Sequence, residues 1–479
     1  MKTNIKFLGL VMFAASLICA ALTMFGCDSS TKPKQGSIEG TVTLSNDSGN
    51  PANDPVDFGG ITVTLYEMAS IDTTLSRIKE VYPNIGGEIN QQTEFDHRHQ
   101  HPLRTVTTNA DGSFSILGVD YGEYNVVASK PGWGWHYYLE VSLGKDGKLA
   151  LATAELYPER ILGPAYPSSL ILASGHHYLA QGNVFFNGIE FQDNSWLRLN
   201  DHVDLTISGH YSCPSVGKAY IWQEAEGDPQ TSTIHLANLE SLNVQNMVYK
   251  DLSYPFNVSS IDGTIANCRI INCVSSLLAR FSEISIYQVS STVSGDASDG
   301  FGVEYSTLQI HDSIILGGVN GINVKMGSSA EISNNYIAST NAFRLDADTD
   351  SSVSHCCLEA SDRAGVIVQT SLFDISRNVI LGNKGFYFVS ISMVPENSVA
   401  YNDFYSTSLY LEASGQLNPA YLSYHLNAKH NYFHRNTLDQ INIYIKDMND
   451  FDPSLTSALT FDIDPCSTTP VANCGIQAD

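Results

Sequence analysis

The chain has 479 residues, 43% of them hydrophobic, which allows two or three domains with sizeable cores and argues against wholesale disorder. Its 50 acidic residues against 25 basic ones give a formal charge of −25, a field that repels nucleic acid and anionic membrane surfaces. β-Forming residues are plentiful and long helical periodicity is absent, so an all-β chain is expected.

At the N-terminus Lys2 and Lys6 precede a largely apolar run from Phe7 to Phe25, which ends in Leu22-Thr-Met-Phe-Gly26-Cys27-Asp28. Residues 1–26 therefore read as a secretory signal. It resembles a bacterial lipoprotein signal, although Leu22 lies further upstream of the cysteine than is usual in that family. The resemblance implies that Cys27 is lipidated, becomes the first mature residue and anchors the exported chain to a membrane, at the outer membrane or cell surface. The alternative is an uncleaved apolar anchor. Residues 27–35, with Ser29-Ser-Thr-Lys-Pro-Lys-Gln35, form a flexible tether.

Residues 36–157 alternate as short strands. Ser37 to Leu44 and Ile61 to Leu65 read as half-buried strands, and Asp111-Gly112 marks a tight turn before Ser113-Phe-Ser-Ile116. Gly36-Ser-Ile-Glu-Gly40-Thr-Val42, Thr108-Asn-Ala-Asp111-Gly112-Ser-Phe114 and Gly122-Glu-Tyr124-Asn-Val-Val-Ala-Ser-Lys130-Pro-Gly132 resemble the carboxypeptidase regulatory-like (prealbumin-like) domain. That resemblance implies a small β-sandwich serving as a spacer or accessory module. A long insertion, about Met68 to Leu103, departs from the family pattern and contains Asp96-His-Arg-His-Gln-His101. On an extended segment His97, His99 and His101 would share one side and could hold Zn²⁺, Cu²⁺ or Ni²⁺; otherwise this is a polar surface loop.

Tyr157 to Pro167 reads as a linker, Ser168 to Ser208 resumes apolar alternation, and Tyr211 to Gln230 looks irregular. Then the chain repeats itself. An apolar residue recurs at Val244, Ile265, Ile286, Ile310, Ile332, Val353, Ile375, Val399 and Ala428. Three places later stands a small or amide residue, among them Ser313, Asn335, Cys356, Asn378, Asn402 and Asn431. Two short strands per period of this kind predict a solenoid of stacked parallel strands. Apolar positions an odd number apart face opposite sides of a straight strand, so the chain must bend between them. Asn suits such a corner through its tolerance of left-handed backbone, and its amide could bond to neighbouring coils as a ladder. The pattern resembles the right-handed parallel β-helix, pectin-lyase-like family over roughly 240–465. The expected fold is thus a small β-sandwich followed by a β-helix over 168–447, with 448–479 as a tail. Cys466 and Cys474 in that tail could pair, while Cys268, Cys273, Cys356 and Cys357 read as buried thiols.

Enzymes of the resembled family cleave acidic polysaccharides, by Ca²⁺-assisted elimination with a basic residue or by hydrolysis with grouped aspartates. Grouped elements of the hydrolase kind are absent. One cluster offers chemistry: Arg344 beside Asp346, Asp348 and Asp350, with Lys325 one coil earlier. Arg344, Asp346 and Asp348 are the catalytic candidates. The three carboxylates could converge on Ca²⁺, or lie in a solvated loop. Three readings follow. The leading one is a lipid-anchored binding or structural protein in which the sandwich holds the β-helix off the membrane and exposed residues such as Tyr387 and Asn323 contact polysaccharide. The second is a polysaccharide lyase or hydrolase. The third is an adhesin or assembly component whose partner is a surface protein.

Overall fold

The structure is a computed structural model that describes residues 35–46, 55–224, 230–294, 298–346, 350–368, 372–389, 396–405, 408–414, 424–435, 437–451 and 459–477. It is mostly β: small N-terminal sheets followed by a long parallel β-solenoid. Two four-stranded sheets come first. One holds Gln35–Leu44 antiparallel to Ser113–Asp120, and the other joins Thr62–Glu67 to Gly122–Lys130 and Gly134–Leu143. Ile38, Val42, Val63, Ile116 and Val126, all fully buried, fill the space between them.

The solenoid has three faces. Face A is a ten-stranded parallel sheet running from Leu242–Gln245 to Leu459–Asp462. Val244, Ile265, Ile286, Ile310, Ile332, Val353, Ile375 and Val399 pair in that order across it. Ser398 pairs with Asn427, which brings Ala428 to the same place in the next coil. After the corner, face B begins with strands such as Met247–Lys250, Arg269–Cys273 and Ile314–Leu316. Face C follows with Tyr254–Ser259, Leu277–Arg280, Asp299–Glu304 and Asn320–Lys325. Tyr336–Asp346 and Cys357–Val368 run through both faces without a break, so B and C form one 24-stranded sheet bent along a corner. One coil buries Ile332, Ile337, Phe343 and Leu345 completely. Each such side chain contributes roughly 1.5–3 kcal/mol of hydrophobic stabilisation, and the preceding coil buries Ile310, Ile315, Ile322 and Val324 at the same positions.

The corner between A and B differs from expectation in one respect. The left-handed residue is the one before the ladder position: Asn334, His355, Arg377, Tyr401 and His430 have φ between 54° and 61°. That residue turns the chain and leaves its own side chain outside. The next one then points inward, which is why Ser313, Asn335, Cys356, Asn378, Asn402 and Asn431 are all fully buried. Their work is hydrogen bonding. Asn378 Oδ1 accepts from the Cys356 N–H at 2.9 Å, and its amide donates to Val353 O at 2.9 Å and Asn402 Oδ1 at 3.0 Å. Asn335 caps Ser313 in the same way, as Asn431 caps Asn402. Ser313 Oγ accepts from Val289 N and donates to His311 O. Cys356 Sγ points at Ile332 O and Ser354 O.

Tyr211 to Gln223 contains strand rather than irregular chain. Leu205–Ser212 and Ala219–Gln223 are strands, and every residue of the second is buried. Ala219 and Ile221 enter the solenoid core while Tyr220 and Trp222 pack outward against the insertion, so no apolar–polar alternation survives to mark the strand.

The N-terminal sheets pack directly on the solenoid. Trp135 packs on Trp196 and Trp222, with ring centroids 5.5 and 6.2 Å away. Trp196 stacks on Tyr220 at 3.7 Å. Gly134, at φ 71°, lets the chain approach His177 so closely that a Cβ would lie 2.2 Å from its ring. The insertion extends this contact along face B. Its helix α1 (Thr73–Val81), capped by Asp72, buries Leu75 and Ile78 against Ile314, Tyr336 and Cys357. From the other end the C-terminal segment returns over the A–B corner. Val471 N bonds to Asp403, Gly475 N to Arg377 O and Gln477 N to Asn334 Oδ1. Ile476 packs beside the α1 cluster. Cys466 and Cys474 are free thiols, lying against Ile463 O and Tyr401 O respectively, because this segment is held by the corner rather than by a crosslink.

Candidate functional site

With face B packed under the insertion, face C presents the polar band. Pairing brings Asn323 beside Arg344, Arg344 beside Val366, Val366 beside Tyr387 and Tyr387 beside Glu412. Adjacent coils are about 4.8 Å apart, so these five residues span roughly 19 Å. The cations of the band are matched by carboxylates. Lys325 reaches Asp299 at 3.1 Å, Arg344 reaches Asp346 at 3.1 Å, Arg363 reaches Glu412 at 2.6 Å and Lys384 reaches Asp362 at 3.0 Å. The Arg363 guanidinium also lies over the Tyr387 ring, 4.1 Å from its centroid. Asp299 is held further by Asn320 and Asn323, each donating at 2.7 Å.

The expected site residues meet different surroundings. Asn323 is 4% exposed, because its amide is drawn onto Asp299, and its Oδ1 has no donor among the described residues. Asp348 lies outside the described residues. Asp346 closes its strand on face C in a pair with Arg344, whereas Asp350 borders a groove of 440 Å³ on face A with Glu331, Asp374 and Glu396. Asp346 thus meets a cation within its own strand, while Asp350 lies among other carboxylates. Arg363, Glu412 and Asp299 escaped sequence reasoning because their partners lie 49 and 26 residues away.

The histidines of the insertion do not share a side. His97–His99 is a single 3₁₀ turn capped by Asp96, which breaks the alternation an extended segment would have. His97 bonds Tyr137 at 2.8 Å and packs on Trp135 at 4.9 Å; burial pushes its imidazole down to about 4. His99 turns toward Asp96 and Asp251, and His101 is exposed. Asp96, His99 and Asp251 offer ligand atoms within 4.8 Å of one another. Their charge is already compensated. Arg98 grips Asp96 through two nitrogens at 2.7 and 3.0 Å, and Lys250 stands 3.9 Å off. Burial opposes charge on Asp96, but Arg98, Lys250 and His99 outweigh it and hold the carboxyl well below the usual range. A divalent cation would have to sit against two fixed positive groups, so the cluster fits an electrostatic clasp better than a metal centre. A second clasp joins Glu94 to Arg269 at 2.7 and 3.1 Å. Burial likewise opposes charge on Glu94, and Arg269 and Lys250 overcome it to leave the carboxyl below its ordinary value.

No family model matches this chain. No curated protein matches it either. Among solved structures it is similar to a minor pilin, GBS52, of Streptococcus agalactiae, with 14% identity and a TM-score of 0.16 over 28% of this chain. That match spans 48% of the pilin's own length. It is also similar to a family 28 exopolygalacturonase of Yersinia enterocolitica, with 9% identity and a TM-score of 0.23 over 87% of this chain and 96% of that one. Likenesses this remote assign no activity, and fold alone does not carry one.

Proposed function

We propose that the chain is an exported, lipid-anchored binding protein whose face C lies against a hydroxyl-rich polysaccharide. The observation that supports this most is the charge matching on face C. In a chain of net −25, four cations of this band are each paired with a carboxylate, so the band is locally close to neutral while rich in donors and acceptors. Such a surface suits an uncharged polymer better than a polyanion. The same pairing weighs against elimination or hydrolysis there. Arg344 and Lys325 are cations held in ion pairs, and each would have to give up its own proton before it could accept one from a substrate, while Asp346 is engaged by Arg344. The basic-then-apolar N-terminal run ending in Gly26-Cys27, and the sequence resemblance to carboxypeptidase regulatory-like and pectin-lyase-like proteins, support export and a surface role. Long neutral polysaccharides such as xylan and glucomannan, presented to the full chain in detergent, test the reading. Retention that falls in an Arg363→Ala, Tyr387→Ala double variant supports face C, and depolymerisation of the polymer would move the chain to the enzymes.

A further inference from the structure

A second cleft lies where α1 meets the corner between faces B and C. It is an open cleft of about 750 Å³, lined by Arg77 of α1 and, on the solenoid, by successive coils from Gly317 to Tyr405. The helix is held there by Leu75 and Ile78, which bury against the solenoid; Thr74 and Arg77, three residues apart, therefore share the side that lines the cleft. The opposite side is built by three successive coils, which contribute Thr340, Ser361 and Asn383. Thr340 N bonds Gly318 O and Asn383 N bonds Ala360 O, so these groups rise by one strand spacing per coil.

Among the described residues that line the cleft the charged side chains are Arg77 and Glu359, and they cancel. Arg77 approaches Glu359 at 3.5 Å, both being substantially exposed. The Tyr336 hydroxyl donates to the same carboxylate. Burial and that carboxylate push the Tyr336 hydroxyl well above its ordinary pKa, so it stays a donor and keeps Glu359 oriented as an acceptor. Tyr405 is 44% exposed and rests on His434, whose ring centroid is 3.8 Å away, which leaves an aromatic surface supported from behind.

We infer that this cleft is an oligosaccharide-binding site for a short, uncharged sugar chain, formed jointly by the insertion and the solenoid and separate from face C. Three features argue together. Polar side chains recur at the coil spacing of about 4.8 Å, so a sugar chain lying along the stack meets a hydrogen-bonding group at each coil. A carboxylate and a guanidinium side by side offer acceptor and donor pairs to vicinal hydroxyls. A half-exposed tyrosine gives a flat surface to the apolar side of a pyranose. Net neutrality within a strongly acidic protein disfavours uronic acids. The inference extends the glycan reading of face C but does not depend on it, since the two sites share no residue.

The test uses cellotetraose, xylotetraose and tetragalacturonate, titrated calorimetrically into the full chain in detergent. A neutral tetrasaccharide is expected to bind, tetragalacturonate to bind much more weakly, and Tyr405→Ala or Arg77→Ala to weaken binding about tenfold. Tyr405→Phe, which keeps the ring, should retain most of the affinity, and the face C variant Tyr387→Ala should leave tetrasaccharide binding unchanged. Failure of every neutral tetrasaccharide to bind overturns the assignment. So does equal binding of tetragalacturonate, or binding insensitive to Tyr405→Ala and Arg77→Ala. Loss of binding in Tyr387→Ala alone would overturn the cleft while leaving face C as the glycan site.

Discussion

Replacing Asn378 by Leu probes the ladder at its most connected region. The side chain is fully buried, and its Oδ1 is the acceptor for the Cys356 N–H. Leucine strands that donor inside the core, at a cost of about 1–3 kcal/mol, and removes the bond to Val353 O, worth about 1 kcal/mol more. The expected loss is therefore about 2–4 kcal/mol before the smaller gain from burying an apolar side chain in place of an amide. Asn378→Ser should cost less, since Ser313 performs the same task in its own coil by accepting from Val289 N at 3.2 Å. Equilibrium denaturation with guanidinium, followed by far-ultraviolet circular dichroism, reads both. A midpoint for Asn378→Leu indistinguishable from the parent, or lower stability in the Ser variant than in the Leu variant, would refute the view that the corner amides are structural hydrogen-bond caps.

Three further outcomes follow from the same geometry. Arg269→Met should leave Glu94 charged and enclosed, costing about 3–5 kcal/mol and opening residues 68–103 to limited proteolysis; adding Glu94→Gln should restore much of the protease resistance. Docking of the N-terminal sheets should weaken as pH falls from 6.5 toward 4. His97 is pushed down to about 4 and His177 to about 3 by burial, so the unfolded state binds more protons in that window and stability rises with pH across it. Fluorescence of Trp135, Trp196 and Trp222 during an acid titration checks this, and a transition insensitive to His177→Phe would count against it. Cys27→Ser should leave the precursor unlipidated and move it out of the detergent phase; unaltered partitioning would support an uncleaved anchor.

The repeat was readable because its physics is local. Burial of one apolar residue per coil on face A fixes a period, and the nine residues from Val244 to Ala428 fall into one column of the structure. Which corner residue is left-handed was not readable, because Asn stands on both sides of the bend in Asn334-Asn335 and only the backbone separates their tasks. The docking of the insertion was hidden for another reason. Glu94 and Arg269 are 175 residues apart, and nothing in either segment marks its partner. The same holds for the candidate site. Arg344, Asp346 and Tyr387 could be named from their strands, but the ion pair of Arg363 with Glu412 depends on strands two coils apart. Sequence proximity does not fix surroundings either: Asp346 closes a face C strand beside Arg344, whereas Asp350 borders the face A groove.

The central claim is that the solenoid holds neutral polysaccharide on face C without cutting it. Its most direct test is affinity electrophoresis of the full chain through gels containing xylan or glucomannan, with the recovered polymer sized afterwards. The account predicts retardation in at least one neutral polymer, weakened about tenfold in the Arg363→Ala, Tyr387→Ala variant, with polymer length unchanged. Migration unaffected by every neutral polymer, or retardation accompanied by shortened chains, would contradict it.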